Sequence, residues 1–383
     1  MSEASRTWAT GLVSSRSGAR APLAHLPLPV AEAPWMVEFE LDQERGSWLA
    51  SQLAERPWTL WRYRELLPIE DWRQRVELGE GGTPLVPVRR LFPPAVEVWI
   101  KEEGGNPTGS FKARGLALAV SRARELGAPG VQLPSAGNAA LAAAAYSAAA
   151  ELPCRIALPL DTPTEVASRC RMYGCEVLMG GRTLVEASAR LQEEDLGFWD
   201  LSTFKEPYRV EGKKTMGFEL AEQLSWRLPD WIIYPTGGGT GIVAMAKAFE
   251  ELRALGMIGA DKCRFAVVQM EGCAPVVRAF QRGEKRVTPW QEPQTDVWGL
   301  RVPQTIADFL ILGALRDCGG TALSIPELAI GSMQERAAKS EGMLVGPEGA
   351  AALLAVEELI NEGLIEKDQR VLVFQTGDPA NYR

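Results

Sequence analysis

A lysine that closes a glycine-rich turn and opens a helix is well placed for covalent chemistry. Lys112 ends the run Gly104-Gly105-Asn106-Pro107-Thr108-Gly109-Ser110-Phe111-Lys112, with a strand-like stretch upstream and a helical pattern immediately downstream. Beside helix N-terminal dipoles and partly withdrawn from water, such a lysine has its neutral amine favoured, as Schiff-base formation requires. Most lysines are solvated surface groups; the glycines and proline packed around this one set it apart.

A second group is Pro235-Thr236-Gly237-Gly238-Gly239-Thr240-Gly241, lying between an apolar stretch and a helical one. Glycines let successive backbone N–H groups approach an anion, and a helix N-terminus behind them adds about half a positive charge. Tight turns alone also account for glycines, and the run lacks both the lysine of GxxxxGK[ST] and the spacing of GxGxxG. Ser135-Ala136-Gly137-Asn138 and Thr376-Gly377 follow strand-like stretches in the same way, although Asn138 reads equally well as an N-cap. Their joint occurrence at strand ends, where α/β sheets bind ligands, points to a ligand site.

The elements that must hold these residues alternate from about residue 95 onward, which predicts an α/β fold. Strands are expected over 96–101, 131–134, 155–159 and 176–179, with 231–234, 265–270 and 371–374 supplying a second sheet. Helices are expected over 113–126, 138–151, 163–173, 184–194 and 242–252. Residues 1–45 show no periodicity and are expected to drape over the surface, while 281–303 reads as a long loop or lid.

At 383 residues the chain has room for two or three domains of ~100–200 residues each. Apolar residues at 46% and charged residues at 23% exclude collagen, disorder throughout and coiled coil. A net charge of −8 argues against a nucleic-acid partner and for a small molecule. His25 is the one histidine. It sits among prolines, is expected on the surface, and leaves triads, HExxH zinc sites and haem ligation without support. Six cysteines with no CxxC pair read as reduced cytosolic thiols. No apolar run approaches the ~18 residues of a membrane span and no leader pattern opens the chain, so a cytoplasmic protein without membrane contact is expected.

The stretches Leu60-Trp61-Arg62-Tyr63-Arg64, Gly79-Glu80-Gly81-Gly82-Thr83-Pro84 and Gly105 to Lys112 resemble threonine synthases, pyridoxal 5'-phosphate (PLP) enzymes of fold-type II. The resemblance continues to the C-terminus and covers most of the chain. It implies a fold like the tryptophan synthase β-chain, two open α/β domains with the cofactor in the cleft between them. Residues 1–45 would be an extension, 46–118 with 208–383 a large PLP-binding domain, and 119–207 a small one. Lys112 would carry the cofactor with Phe111 beside it. Asn138 would face its 3-hydroxyl, Gly237, Gly238, Gly239, Thr240 and Gly241 its phosphate, and Thr376 its pyridine nitrogen. A neutral hydroxyl at that nitrogen weakens the electron sink and favours elimination over transamination. Lys112 would then serve as general acid and base, with no histidine required.

The resemblance further implies Ser135, Arg209 and Glu348 as substrate contacts, and a homodimer. Arg209, within Lys205 to Thr215, would hold the substrate's phosphate, for which a planar guanidinium is suited. Lys213 and Lys214 read instead as a surface patch offset by Glu206 and Glu211. Three readings follow: a threonine synthase-like lyase acting on O-phospho-L-homoserine, PLP-dependent β-elimination or β-replacement on serine, phosphoserine or a related amino acid, and a non-catalytic PLP-binding paralogue. The third ranks last because Lys112, Asn138, the glycine run and Thr376 are all present.

Departures from the family cluster at two places. Where relatives start with a zinc ribbon, Ser14 and Ser17 stand at the first pair of ligand positions and no cysteine occurs near Ala33-Pro34-Trp35. Asn381 replaces an expected lysine beside Asp378, and Gln304 and Gly313 stand where relatives carry basic residues. Hydroxyls cannot replace thiolates on zinc. Metal analysis of tag-free protein is therefore expected to find no stoichiometric zinc; one zinc per chain would give residues 1–45 a metal-binding role.

Overall fold

The computed structural model describes residues 7–23, 33–135 and 137–382, so His25 and Ala136 lie outside the described residues. Contacts divide the chain into two compact units, Met1–Gly82 with Asn106–Met216, and Thr83–Gly105 with Gly217–Arg383. Residues 46–82, 106–118 and 208–216, expected with the large domain, group here with 119–207. The cause is packing: the helix Lys112–Glu125 lies against the alanine-rich helix Asn138–Ala149, and both feed one apolar core with Leu60, Trp61 and Ile156.

The first unit holds a four-stranded parallel sheet, ordered Glu176–Met179, Cys154–Leu158, Val131–Pro134 and Trp199–Asp200. Alanine carries the highest helix propensity and the smallest side chain, so Asn138–Ala149 forms readily and buries almost all round. The N-terminal residues differ from the expected surface drape. Ala9–Ser14 pairs antiparallel with Arg20–Ala21 and with Trp35–Phe39, and Leu12 and Val37 join the unit's core. These strands escaped notice because each is short and the turns between them are rich in small residues and prolines.

The second unit holds a six-stranded sheet, ordered Thr321–Ile325, Arg264–Met270, Trp231–Pro235, Arg370–Gln375, Glu97–Glu102 and Leu85–Val88. Every pairing is parallel except the last, where Leu85–Val88 runs antiparallel at the edge and places Pro87 where a missing N–H costs least. The three central strands are buried on both faces, which is why they read as continuous apolar runs. Residues 281–303 are irregular as expected, apart from a short 3₁₀ turn at Trp298–Leu300. Of the expected helices, 184–194 closes early: a capping box at Thr183 and Glu186 starts Leu184–Ala189, and a 3₁₀ turn, Arg190–Gln192, ends it.

No helix among the described residues is long and apolar enough to cross a membrane. All six cysteines are free; five are buried and Cys318 is half-buried.

One contact fixes the helix that carries Lys112. A Cβ on Gly212 would collide with the Arg114 carbonyl oxygen, and one on Gly115 would stand 2.8 Å from the Arg209 carbonyl oxygen. The helices Lys112–Glu125 and Tyr208–Gln223 thus cross backbone to backbone. Gly212→Ala is expected to destabilise by about 1–3 kcal/mol through overpacking. Gly313→Ala, mid-helix in Asp308–Asp317 with open space around it, is expected to stabilise by up to ~1 kcal/mol. Thermal unfolding of the two variants checks the contrast.

Candidate active site

Lys112 is the first residue of its helix, with Phe111 at the N-cap, so the lysine stands where the sequence placed it, at the passage from turn to helix. It is half-buried, and its Nζ lies 3.8 Å from the centre of the Phe111 ring. The preceding turn is closed by Gly109 N donating to Asn106 O at 2.7 Å, while the Asn106 side chain accepts from Gly81 N at 3.1 Å.

A second lysine shares this ring. Lys213 Nζ lies 5.3 Å from the Phe111 centre, and Lys213 has no exposure to solvent. Lys214 is equally buried, paired with Glu211 at 2.6 Å. The expected surface patch therefore does not exist: the Gly115–Gly212 crossing draws this face of the helix inward. Burial holds the Lys213 ammonium well below the usual lysine range, and the positive charges of Arg209 and Lys112 push it the same way.

Arg209 precedes Lys213 by one helical turn and is buried. Its backbone N–H donates to the Glu206 carboxylate at 3.0 Å, and its guanidinium donates to the Leu201 carbonyl. Its Nε is buried without a hydrogen-bond partner. Glu206 also accepts from Tyr208 N at 2.6 Å, yet burial pushes its carboxyl up to about 7 against the opposing pull of Arg209.

Elsewhere in this unit Ser135 and Asn138 follow the strand Val131–Pro134, both half-buried. Gly137, not Asn138, occupies the N-cap; Asn138 is the first helical residue, so capping does not account for it.

In the second unit three neighbouring parallel strands end side by side. Trp231–Pro235 leads into the glycine run, Arg370–Gln375 into Thr376, and Glu97–Glu102 into Glu103 and Gly104. Gly239 caps the helix Thr240–Ala254 at φ +81°, a conformation L side chains avoid, and no side chain caps this helix. Gly237 tolerates nothing larger, since its Cβ would collide with the Gly299 carbonyl oxygen. Thr305 Oγ1 donates to Gly238 O at 2.9 Å, and Gly299 N donates to Glu348 Oε1 at 3.0 Å. The 298–305 segment is thus strapped to the glycine run, and Glu348, expected at the substrate, has one carboxylate oxygen on the strap.

Thr376 is buried, and the Gln375 amide donates to Gly377 O at 3.0 Å behind it. Beside it, burial raises the Glu102 carboxyl to about 7, with Glu103 and Asp378 adding like charge. Asn381 sits in a final 3₁₀ turn whose backbone closes on Asp378. Gln304 is exposed and Gly313 lies within the helix Asp308–Asp317. Sequence reasoning missed the burial of Lys213 and Glu206 and the strap; only the glycines at 115 and 212 hinted at the first.

A glycine-built turn at an uncapped helix N-terminus suits a phosphate, and a lysine at a second helix N-terminus suits an aldehyde, so the residues present fit a phosphorylated aldehyde cofactor. Residues 76–377 match the family of pyridoxal-phosphate dependent enzymes, and the chain belongs to it. Within it, the chain is 34% identical over 345 residues to the threonine synthase of Methanocaldococcus jannaschii, covering 88% of this chain and 84% of that one. The threonine synthase of Methanosarcina acetivorans is 35% identical over 324 residues, covering 83% and 79%. The protein is a member of the threonine synthase family, a PLP-dependent lyase of fold-type II. Solved structures with the same fold include maize serine racemase, with a TM-score of 0.66 and 19% identity over 88% of this chain and 94% of that one. The L-serine ammonia-lyase of Rhizomucor miehei has a TM-score of 0.65 and 20% identity over 79% and 97%.

Two lysines beside one ring make the anchoring residue a sharp question. Borohydride reduction of the PLP-loaded protein followed by peptide mapping is expected to label Lys112. Label on Lys213 would move the anchor by one helix.

Proposed function

We propose that the enzyme converts O-phospho-L-homoserine and water into L-threonine and phosphate. Support comes from the threonine synthases it is similar to and, in the structure, from one observation above the rest: Arg209, buried where its helix crosses the Lys112 helix, keeps a buried N–H without a hydrogen-bond partner. Bound PLP supplies an electron sink for charge developing on the substrate's carbon chain. Lys112 anchors it and moves the proton at the substrate's Cα, its amine held at a helix N-terminus. Gly237, Gly238, Gly239, Thr240 and Gly241 hold the cofactor phosphate, Asn138 faces its 3-hydroxyl, Phe111 lies beside it and Thr376 faces its pyridine nitrogen without a charge. Ser135 and Arg209 orient the substrate, with Glu348 contributing through the strap that it holds by Gly299 N. A homodimer in the cytoplasm, without nucleic-acid or membrane partners, completes the reading, in keeping with the acidic net charge.

A second reading, β-elimination or β-replacement on serine or phosphoserine, draws on the second unit. There Asp378 adds negative charge, and Asn381 stands where the resemblance implies a lysine. Phosphate release and amino-acid products measured with phosphohomoserine, phosphoserine and their unphosphorylated forms separate the two. Threonine from phosphohomoserine is expected; turnover of serine or phosphoserine alone would select the second reading. Arg209→Ala is expected to lose about 2–5 kcal/mol in kcat/KM on the phosphorylated substrate. An unchanged value would remove Arg209 from the phosphate site.

A further inference from the structure

A buried carboxylate joins two of the elements that carry site residues in the first unit. Glu80 has no exposure to solvent, and its carboxylate accepts from three separate stretches of chain: Trp61 Nε1 and Tyr146 Oη at 2.6 Å each, and Leu78 N at 3.0 Å. Tyr146 lies about two turns along the helix that Asn138 opens. On the other side the next residue, Gly81, donates its N–H to the Asn106 side chain at 3.1 Å, and Asn106 O accepts from Gly109 N in the turn that ends at Lys112. Leu60 N donates to Glu80 O at 2.8 Å, so the backbone of this loop is held as well as the side chain.

An apolar side chain would fill the same space at less cost. Burial pushes the Glu80 carboxyl up against the pull of the hydrogen bonds from Tyr146, Leu78 and Trp61, and replacing buried ionic groups by apolar ones is often neutral or stabilising. What a carboxylate adds is direction. Its two oxygens meet these donors in one arrangement of the loop, the Trp61 segment and the Asn138 helix, whereas apolar packing tolerates several.

We propose that Glu80 is a positioning residue for the cofactor site: it acts through Gly81 and Asn106 on the Lys112 turn and through Tyr146 on the helix that presents Asn138, fixing the lysine and the asparagine relative to each other. This rests on the reading that Lys112 anchors PLP and Asn138 faces it. Glu80 moves no proton in the reaction; its effect is geometric. Displacing a reacting group by about 1 Å costs up to ~100-fold in rate, so a remote carboxylate has leverage on the Lys112 amine.

The test compares PLP-loaded wild type with Glu80→Gln, Tyr146→Phe, the double variant and Leu12→Ala. The amide of Glu80→Gln keeps the shape but turns one acceptor into a donor, which faces either Trp61 N–H or the Tyr146 and Leu78 donors. Leu12→Ala, in the same core but in the N-terminal sheet, controls for lost stability. In Glu80→Gln, hydrogen exchange in peptides covering 79–82 and 106–112 is expected to speed up about 10-fold, the scale of one lost buried hydrogen bond. The visible circular dichroism of the bound cofactor is expected to weaken. On the amino acid that wild type turns over, kcat is expected to fall about 10- to 100-fold with KM held within about 3-fold, because the Lys112 proton transfer is felt in the transition state. Tyr146→Phe is expected to lose about 3- to 10-fold in kcat, and the double variant no more than Glu80→Gln, since both act through one contact. Leu12→Ala is expected to melt at lower temperature with the dichroism, exchange at 106–112 and kcat of wild type.

A Glu80→Gln protein that melts early like Leu12→Ala, yet keeps wild-type dichroism and kcat, makes Glu80 a stability residue and overturns the proposal. Where Glu80→Gln fails to fold, wild-type dichroism, exchange and kcat in Tyr146→Phe overturn it by themselves. Borohydride labelling separates this failure from that of the reading beneath. Label on a lysine other than Lys112 in wild type removes the reading, whereas label on Lys112 with unchanged dichroism in both variants removes the positioning role alone.

Discussion

The crossing of two helices at Gly115 and Gly212 is the contact on which the chemistry of the first unit depends. A carbonyl oxygen of each helix stands where the other's Cβ would be, so the two backbones approach as closely as glycine allows. That approach turns residues 209–214 inward, and a surface charge pattern becomes a buried one. It also sets Lys213 against the ring that Lys112 already touches. Any larger residue at either glycine would part the helices and let water between Arg209, Lys213 and Lys112, with the electrostatic tension relaxed by solvent.

That tension differs from the other buried charges of the chain. Lys101 meets Glu219 at 2.5 Å and also donates to Thr83 O and the Gln223 side chain, and Glu211 meets Lys214 at 2.6 Å. Around Lys101 the partners supply the hydrogen bonds that desolvation removed, the condition under which a buried ion pair is tolerated. Around Phe111, burial and the like charges of Arg209 and Lys112 instead lower the proton affinity of Lys213.

Much of the scaffold was legible in the sequence because its strands are buried on both faces and its helices follow alanine and capping signals. The parallel strands around 131, 155, 231, 265 and 371 and the start of the Lys112 helix lie within a residue or two of their expected bounds. Legibility failed where the determinant was a non-local contact. Nothing in Lys213-Lys214 marks them as buried until Gly212 meets Arg114, and no periodicity marks Ala9–Ser14 until it pairs with Trp35–Phe39. In that N-terminal sheet, Ser14 Oγ accepts from Ser17 N at 3.4 Å, and Ser15 N and Oγ donate to Pro34 O at 3.0 and 2.6 Å. Hydrogen bonds close the turn around Ser14 and Ser17, and Lys214 Nζ, 3.9 Å from the Phe39 ring, ties the sheet to the charged helix.

The glycine run of the second unit carries a similar lesson about what a motif can mean. Its glycines read as a surface an anion can approach, and the uncapped helix behind them supports that. Yet Gly237 is also required by the strap, whose Gly299 carbonyl occupies the space of a side chain, and Gly239 by Ile311, whose Cδ1 fills the position of a Cβ. The loop is therefore moulded from outside before any ligand arrives. Gly299 N on Glu348 and Thr305 Oγ1 on Gly238 O hold the mould in place. Preorganisation of this kind lowers the ordering cost of binding, because the backbone amides need no rearrangement to meet an anion. Glu348 consequently acts on the glycine run through backbone contacts, which its place in the first turn of an alanine-rich helix could not reveal.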